Sequence, residues 1–138
     1  PRAVNPKSEY RNPKQIQMTK IQNSKQYDLE EGTLAFAKKV RTFVKKLSRS
    51  VSNIEDGKQL VKASGSVGSN YIEANESLSK KDFIMRIKIC RKESKESRYW
   101  LKLVDTNNDK EQERDRDALI TEATELMNIF GAILQKSQ

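Results

Sequence analysis

The chain has 138 residues, with 27 Lys and Arg against 19 Asp and Glu for a formal net charge of +8, one cysteine and no histidine. Without histidine the usual general base and the commonest metal ligand are both missing, so histidine catalysis is excluded. The lone Cys90 cannot close an internal disulfide or a multi-thiolate metal site, and no window nears the roughly 20 apolar residues that a membrane helix needs. The expectation is a non-enzymatic cytoplasmic protein with no cofactor, no metal and no membrane partner.

Pro1, Pro6 and Pro13 all fall in a polar N-terminal stretch that repeats Asn-Pro-Lys at residues 5–7 and 12–14. Such a composition buries too little apolar surface to offset its ordering entropy. Residues 1–26 therefore read as a disordered or partner-ordered basic tail. Up to residue 28, six Lys and Arg against Glu9 and Asp28 supply +4 of the +8. Residues 27–138 make one domain.

From Asp28 onward there is no proline, and apolar residues recur at helical spacing in four blocks, which predicts an all-α, antiparallel up-down four-helix bundle. The first block opens with Asp28 and Glu31 in capping-box relation and carries Ala37, Val40, Val44 and Leu47 on one face. A second starts at Asn53 and buries Leu60, Ser64, Val67, Tyr71, Ala74 and Leu78. Ser79 with Asp82 caps a third, whose stripe is Phe83, Ile87, Cys90, Ser94, Ser97, Leu101 and Val104. After the polar cluster Asp105 to Asp109, the stripe Leu119, Ala123, Leu126, Phe130 and Ile133 defines the fourth.

A second apolar set on the third helix, Ile84, Met85, Ile89, Tyr99, Trp100 and Leu103, falls outside its core stripe. Either another subunit covers these residues or loops and the tail do; the size of the patch favours self-association.

Gly65-Ser66-Val67-Gly68-Ser69 lacks the preceding strand and the Gly-Lys-Ser/Thr ending of a phosphate loop, so these small residues read as a close helix contact. Glu73, Glu93 and Glu96 lack the histidine that accompanies glutamates in bundle di-metal sites, and buried or half-buried ion pairs are the better account, with Glu93 or Glu96 meeting Arg91, Arg98 or Lys62. From Lys80 to Lys102 nine basic residues meet three acids, whereas from Asp105 to Glu125 eight acids meet three bases. If those two runs neutralise each other, the first helix becomes the cationic surface, through Lys38, Lys39, Arg41, Lys45 and Lys46. If they do not, Lys80, Lys81, Lys88, Lys92 and Lys95 join the candidates for binding RNA or DNA phosphates.

The run Gln59 to Ala74, with its Ser69-Asn70-Tyr71-Ile72-Glu73-Ala74 element, resembles the four-helix-bundle proteins encoded in intervening sequences of bacterial 23S ribosomal RNA genes. Lys80-Lys81-Asp82-Phe83 and then Arg91-Lys92-Glu93-Ser94-Lys95-Glu96 continue that pattern in order, and the similarity runs from about Tyr27 to about Leu134. The resemblance implies a ring-like homopentamer and a relation to the accessory protein of diversity-generating retroelements, which binds nucleic acid and a reverse transcriptase, a nucleic-acid-processing partner. It marks Asn70, Glu73, Arg91, Glu93 and Glu96 as polar positions, read here as interhelical hydrogen-bonding and salt-bridge residues. It supplies no catalytic residue. A purely structural or protein-interaction module is the rival reading.

Overall fold

The structure, a computed structural model, describes residues 28–138. The expected basic tail, residues 1–26, lies outside the described residues. Four helices follow in chain order: α1 (Leu29–Lys46), α2 (Val51–Asn75), α3 (Lys80–Leu103) and α4 (Lys110–Ser137). Each packs on its neighbour in sequence, and α1 closes against α4. Short connections force neighbouring helices to run antiparallel, giving the up-down bundle that the periodicity predicts.

Each helix begins at a side-chain cap that satisfies an N–H with no partner inside the helix. Asp28 accepts from the Glu30 N–H at 2.9 Å, Ser50 from Asn53 at 3.2 Å, Ser79 from Asp82 at 3.1 Å and Asp109 from Gln112 at 2.9 Å. The α3–α4 turn puts Asn107 and Asn108 at φ 55° and 61°, a left-handed conformation that asparagine tolerates better than most residues.

Asn53 is therefore not the start of α2. It lies buried inside the first turn, where its amide donates to the carbonyls of Ser48 at 3.1 Å and Asp105 at 2.9 Å, and its oxygen accepts from the Asp105 N–H at 2.9 Å. One side chain thus ties the α1–α2 loop to the α3–α4 loop.

Every residue of the expected α3 and α4 stripes is buried. The α1 stripe needs correction. Leu29, Thr33, Phe36, Val40, Phe43 and Leu47 are buried, whereas Ala37 and Val44 are only half-buried. Residues 37 and 44 sit one step, about 100°, around the helix from Phe36 and Phe43, and the larger rings take the core. On α2, Tyr71 is half-buried with its ring tilted against Phe130, 5.9 Å between centroids, and Leu78 is 76% exposed because the helix has already ended at Asn75. Gly65 and Gly68 lie within α2 and face α1: a Cβ on Gly68 would meet Thr33 and one on Gly65 would meet Arg41.

Candidate nucleic-acid interface

The bundle orders its charges by helix. On α1, Lys39 Nζ sits 2.7 Å from Glu122 Oε2 and Lys46 Nζ 3.9 Å from Glu111 Oε2, both on α4. Arg41 donates to the Ala37 carbonyl of its own helix at 3.1 Å. Lys38 and Lys45 are exposed, with no ion-pair partner among the described residues. The remaining α4 pairs, Lys110 with Glu113 at 3.7 Å and Arg116 with Asp117 at 3.3 Å, are internal to that helix.

Among the described residues no ion pair joins α3 to α4. Within one chain the Lys80–Lys102 and Asp105–Glu125 runs therefore form no ion pair with each other, and two acids of α4, Glu111 and Glu122, meet α1 instead. Register explains this. A hydrogen bond from Arg98 to Thr124 Oγ1 at 3.2 Å, and Gly131 facing the Arg91 side chain, fix which parts of α3 and α4 lie opposite. The acidic half of α4 then faces the C-terminal end of α3, while the middle of α3, from about Ile87 to Glu96, faces residues 126–135, which include no acid.

Between those two segments runs an open groove of about 770 Å³. Lys88, Arg91, Lys92 and Lys95 form its α3 wall; Met127, Asn128, Gly131, Ala132 and Gln135 form its α4 wall. The four cations recur at spacings of three and four residues, so they share one face over about 10 Å of helix. Lys92 has a weak ion pair with Glu93 at 3.7 Å, on its own helix. Lys80 and Lys81 are exposed in the first turn of α3, where the helix dipole disfavours cations.

The polar positions divide. Asn70 joins two helices: it accepts from Arg86 Nη1 at 2.9 Å and donates to the Ser66 carbonyl of α2 at 2.9 Å. Arg86 was outside the expected set, and the one available signal was its place in the basic run of α3. Glu93 is half-buried, and burial, followed by the repulsion of Glu96, raises its carboxyl above the ordinary range against the pull of Lys92 and Lys62. Glu73 and Glu96 are exposed, and Arg91 lies in the groove instead of pairing with a glutamate. Among the described residues no cluster of three acids or thiols could hold a metal ion. Cys90 donates to the Val67 carbonyl at 3.5 Å, and burial pushes its thiol up to about 12, which keeps it un-ionised.

The second apolar set on α3 also divides. Ile84 and Trp100 pack against the core from half-buried positions, and Ile89 is half-buried. Met85, Tyr99 and Leu103 are about half exposed, at 48%, 57% and 49%. No helix among the described residues is long and apolar enough to cross a membrane.

Fold and charge together define a four-helix bundle with a cationic groove on one side. Residues 25–132 match the family model of the 23S rRNA-intervening sequence protein, and the chain belongs to that family. It is also similar to a crystal structure from Bacteroides thetaiotaomicron, a protein of unknown function from the S23 ribosomal protein family. The TM-score is 0.65 at 26% identity, covering 78% of this chain and 98% of that one. No curated protein matches.

Proposed function

We propose that the protein binds RNA or DNA through backbone phosphates, without catalysis, using the cationic wall of α3. The observation that carries this reading is the set Lys88, Arg91, Lys92 and Lys95, gathered on one groove wall opposite an acid-free stretch of α4. Each phosphate contact releases condensed counterions, so affinity accumulates with the number of cations engaged. Pairing of Lys39 and Lys46 with α4 acids makes α1 the weaker surface. The relation to the accessory protein of diversity-generating retroelements, implied only by the sequence pattern, would agree with this reading.

Self-assembly is the complementary reading, carried by Met85, Tyr99 and Leu103, and the pentamer implied by the resemblance would multiply the groove around a ring. The test of phosphate binding is fluorescence anisotropy with a labelled oligonucleotide. Four contacts to a single strand predict a loss of affinity of about 50-fold between about 50 and 200 mM salt. Charge reversal at Lys88, Lys92 and Lys95 should abolish binding with helicity intact. An intact oligomer that binds nothing at low salt would leave the structural-module reading in its place.

A further inference from the structure

The two walls of the α3/α4 groove differ in chemistry, and that difference bears on the form of nucleic acid that fits. Lys88, Arg91, Lys92 and Lys95 make one wall entirely cationic. The facing wall has no charge: Asn128 and Gln135 bring amide donors and acceptors, and Met127 and Ala132 bring apolar surface. Lys88 and Lys95 are seven residues apart, as are Asn128 and Gln135, so both walls run about 10 Å along antiparallel helices. Gly131 faces Arg91 midway, and a Cβ built on it would come no nearer than 3.9 Å to Arg91 Cδ. The Arg91 stem therefore lies over position 131, and a larger residue there would compete with it for the middle of the groove.

We infer that this groove is a single-strand site, in which the phosphodiester backbone follows the α3 wall and the bases turn toward the amides and apolar surface of α4. The inference rests on the phosphate-binding reading above and adds to it the form of the ligand and the role of α4. A duplex presents a convex surface whose own major groove receives a helix. It cannot sink between two helices packed about 8–10 Å apart. A single strand is thin enough to enter, and its unpaired bases expose edges that amide side chains can meet. The groove holds no aromatic residue, so stacking contributes little and base preference is shallow. RNA and DNA strands share the chemistry that this site recognises.

The experiment compares a fluorescein-labelled single strand with the same strand annealed to its complement, as RNA and as DNA, at about 50 mM salt. Gly131→Leu fills the middle of the groove without changing charge and favours the helix. The expected result is a loss of single-strand affinity of at least about tenfold, with duplex affinity unchanged. The double variant Asn128→Ala, Gln135→Ala alters only exposed positions and should weaken the single strand alone by a smaller factor, which keeps the test valid should Gly131→Leu disturb folding. Equal losses for strand and duplex, or no loss in either variant while wild type binds, would overturn the single-strand site and leave phosphate binding standing. Charge reversal at Lys38 and Lys45 that removes all binding would move the site to α1 and overturn it too. Failure of the wild-type protein to bind either probe would bring down the phosphate-binding reading as well.

Discussion

A Cβ built on Gly68 would lie 2.9 Å from Thr33 Oγ1 and 3.3 Å from Thr33 Cβ, so α1 and α2 touch where glycine replaces a side chain. Thr33 is itself buried and donates to the Glu30 carbonyl at 3.1 Å, which leaves it little freedom to yield. Gly68→Leu should therefore lower stability by about 1–3 kcal/mol through overpacking, more than offsetting the helix propensity gained. Gly131→Ala supplies the contrast. Its Cβ would make an ordinary contact at 3.9 Å, so propensity dominates and stability should rise by about 0.5–1 kcal/mol. Thermal unfolding of both variants checks the pair, and a raised melting temperature for Gly68→Leu would mean that the two helices are not in close contact.

The α3 and α4 stripes were legible because each repeats a single period of three and four residues along the whole helix, and all of their residues are buried although apolar neighbours such as Ile84, Trp100 and Ile129 flank them. On α1 the period was equally clear but its phase was not. Leu34, Ala35, Phe36, Ala37 and then Phe43, Val44 place apolar residues side by side, and only packing against the other helices selects Phe36 and Phe43. Candidate cations were visible as runs of charge, yet the choice between α1 and α3 depends on which acids lie opposite. That choice belongs to the antiparallel register, which a linear count of charge does not contain. Asn53 shows the same limit from the polar side, since its partners stand five and 52 residues away.

Asn53→Ala removes the tie between the two loops and leaves the Asp105 N–H and the Ser48 and Asp105 carbonyls without this partner. Leaving buried polar groups unpaired costs about 1–3 kcal/mol. Chemical denaturation should show a lower midpoint of that size. Asn53→Asp retains an acceptor for the Asp105 N–H but loses every bond the amide donates, so at neutral pH it should also destabilise. Wild-type stability in Asn53→Ala would show that water replaces the bridge without loss.

Glu93 links stability to pH. Burial comes first among the causes that raise its folded-state carboxyl, with Glu96 adding to it and Lys92 and Lys62 opposing. A carboxyl raised on folding favours the folded state when protonated; that contribution is complete below its ordinary value of 4.5 and is lost as pH rises through the folded-state value. Glu93→Gln mimics the protonated form. It should therefore be more stable than wild type at neutral pH, with the difference closing as pH falls below 4.5. Urea midpoints measured across that range give the sign directly, and a variant less stable at neutral pH would show that the attraction of Lys92 and Lys62 outweighs burial.

Self-association should depend on the exposed half of the second α3 set, not on all of it. Ile84 and Trp100 already pack against their own core, so substituting them lowers stability whether or not a partner is present. Met85, Tyr99 and Leu103 are about half exposed in the single chain, and removing such apolar surface from water stabilises by roughly 25 cal/mol per Å². Met85→Glu and Leu103→Glu place charges on that surface, where a stable interface of more than about 1,000 Å² would leave them desolvated and unpaired. The expected outcome is a wild-type oligomer in light scattering and a monomer of unchanged helicity in the double variant. A wild-type monomer at micromolar concentration would rule out the pentamer and make Met85, Tyr99 and Leu103 ordinary exposed apolar residues. An oligomer that survives both charges would put the contact on another face, with Leu34 and Ile72, at 51% and 52% exposure, the next positions to charge.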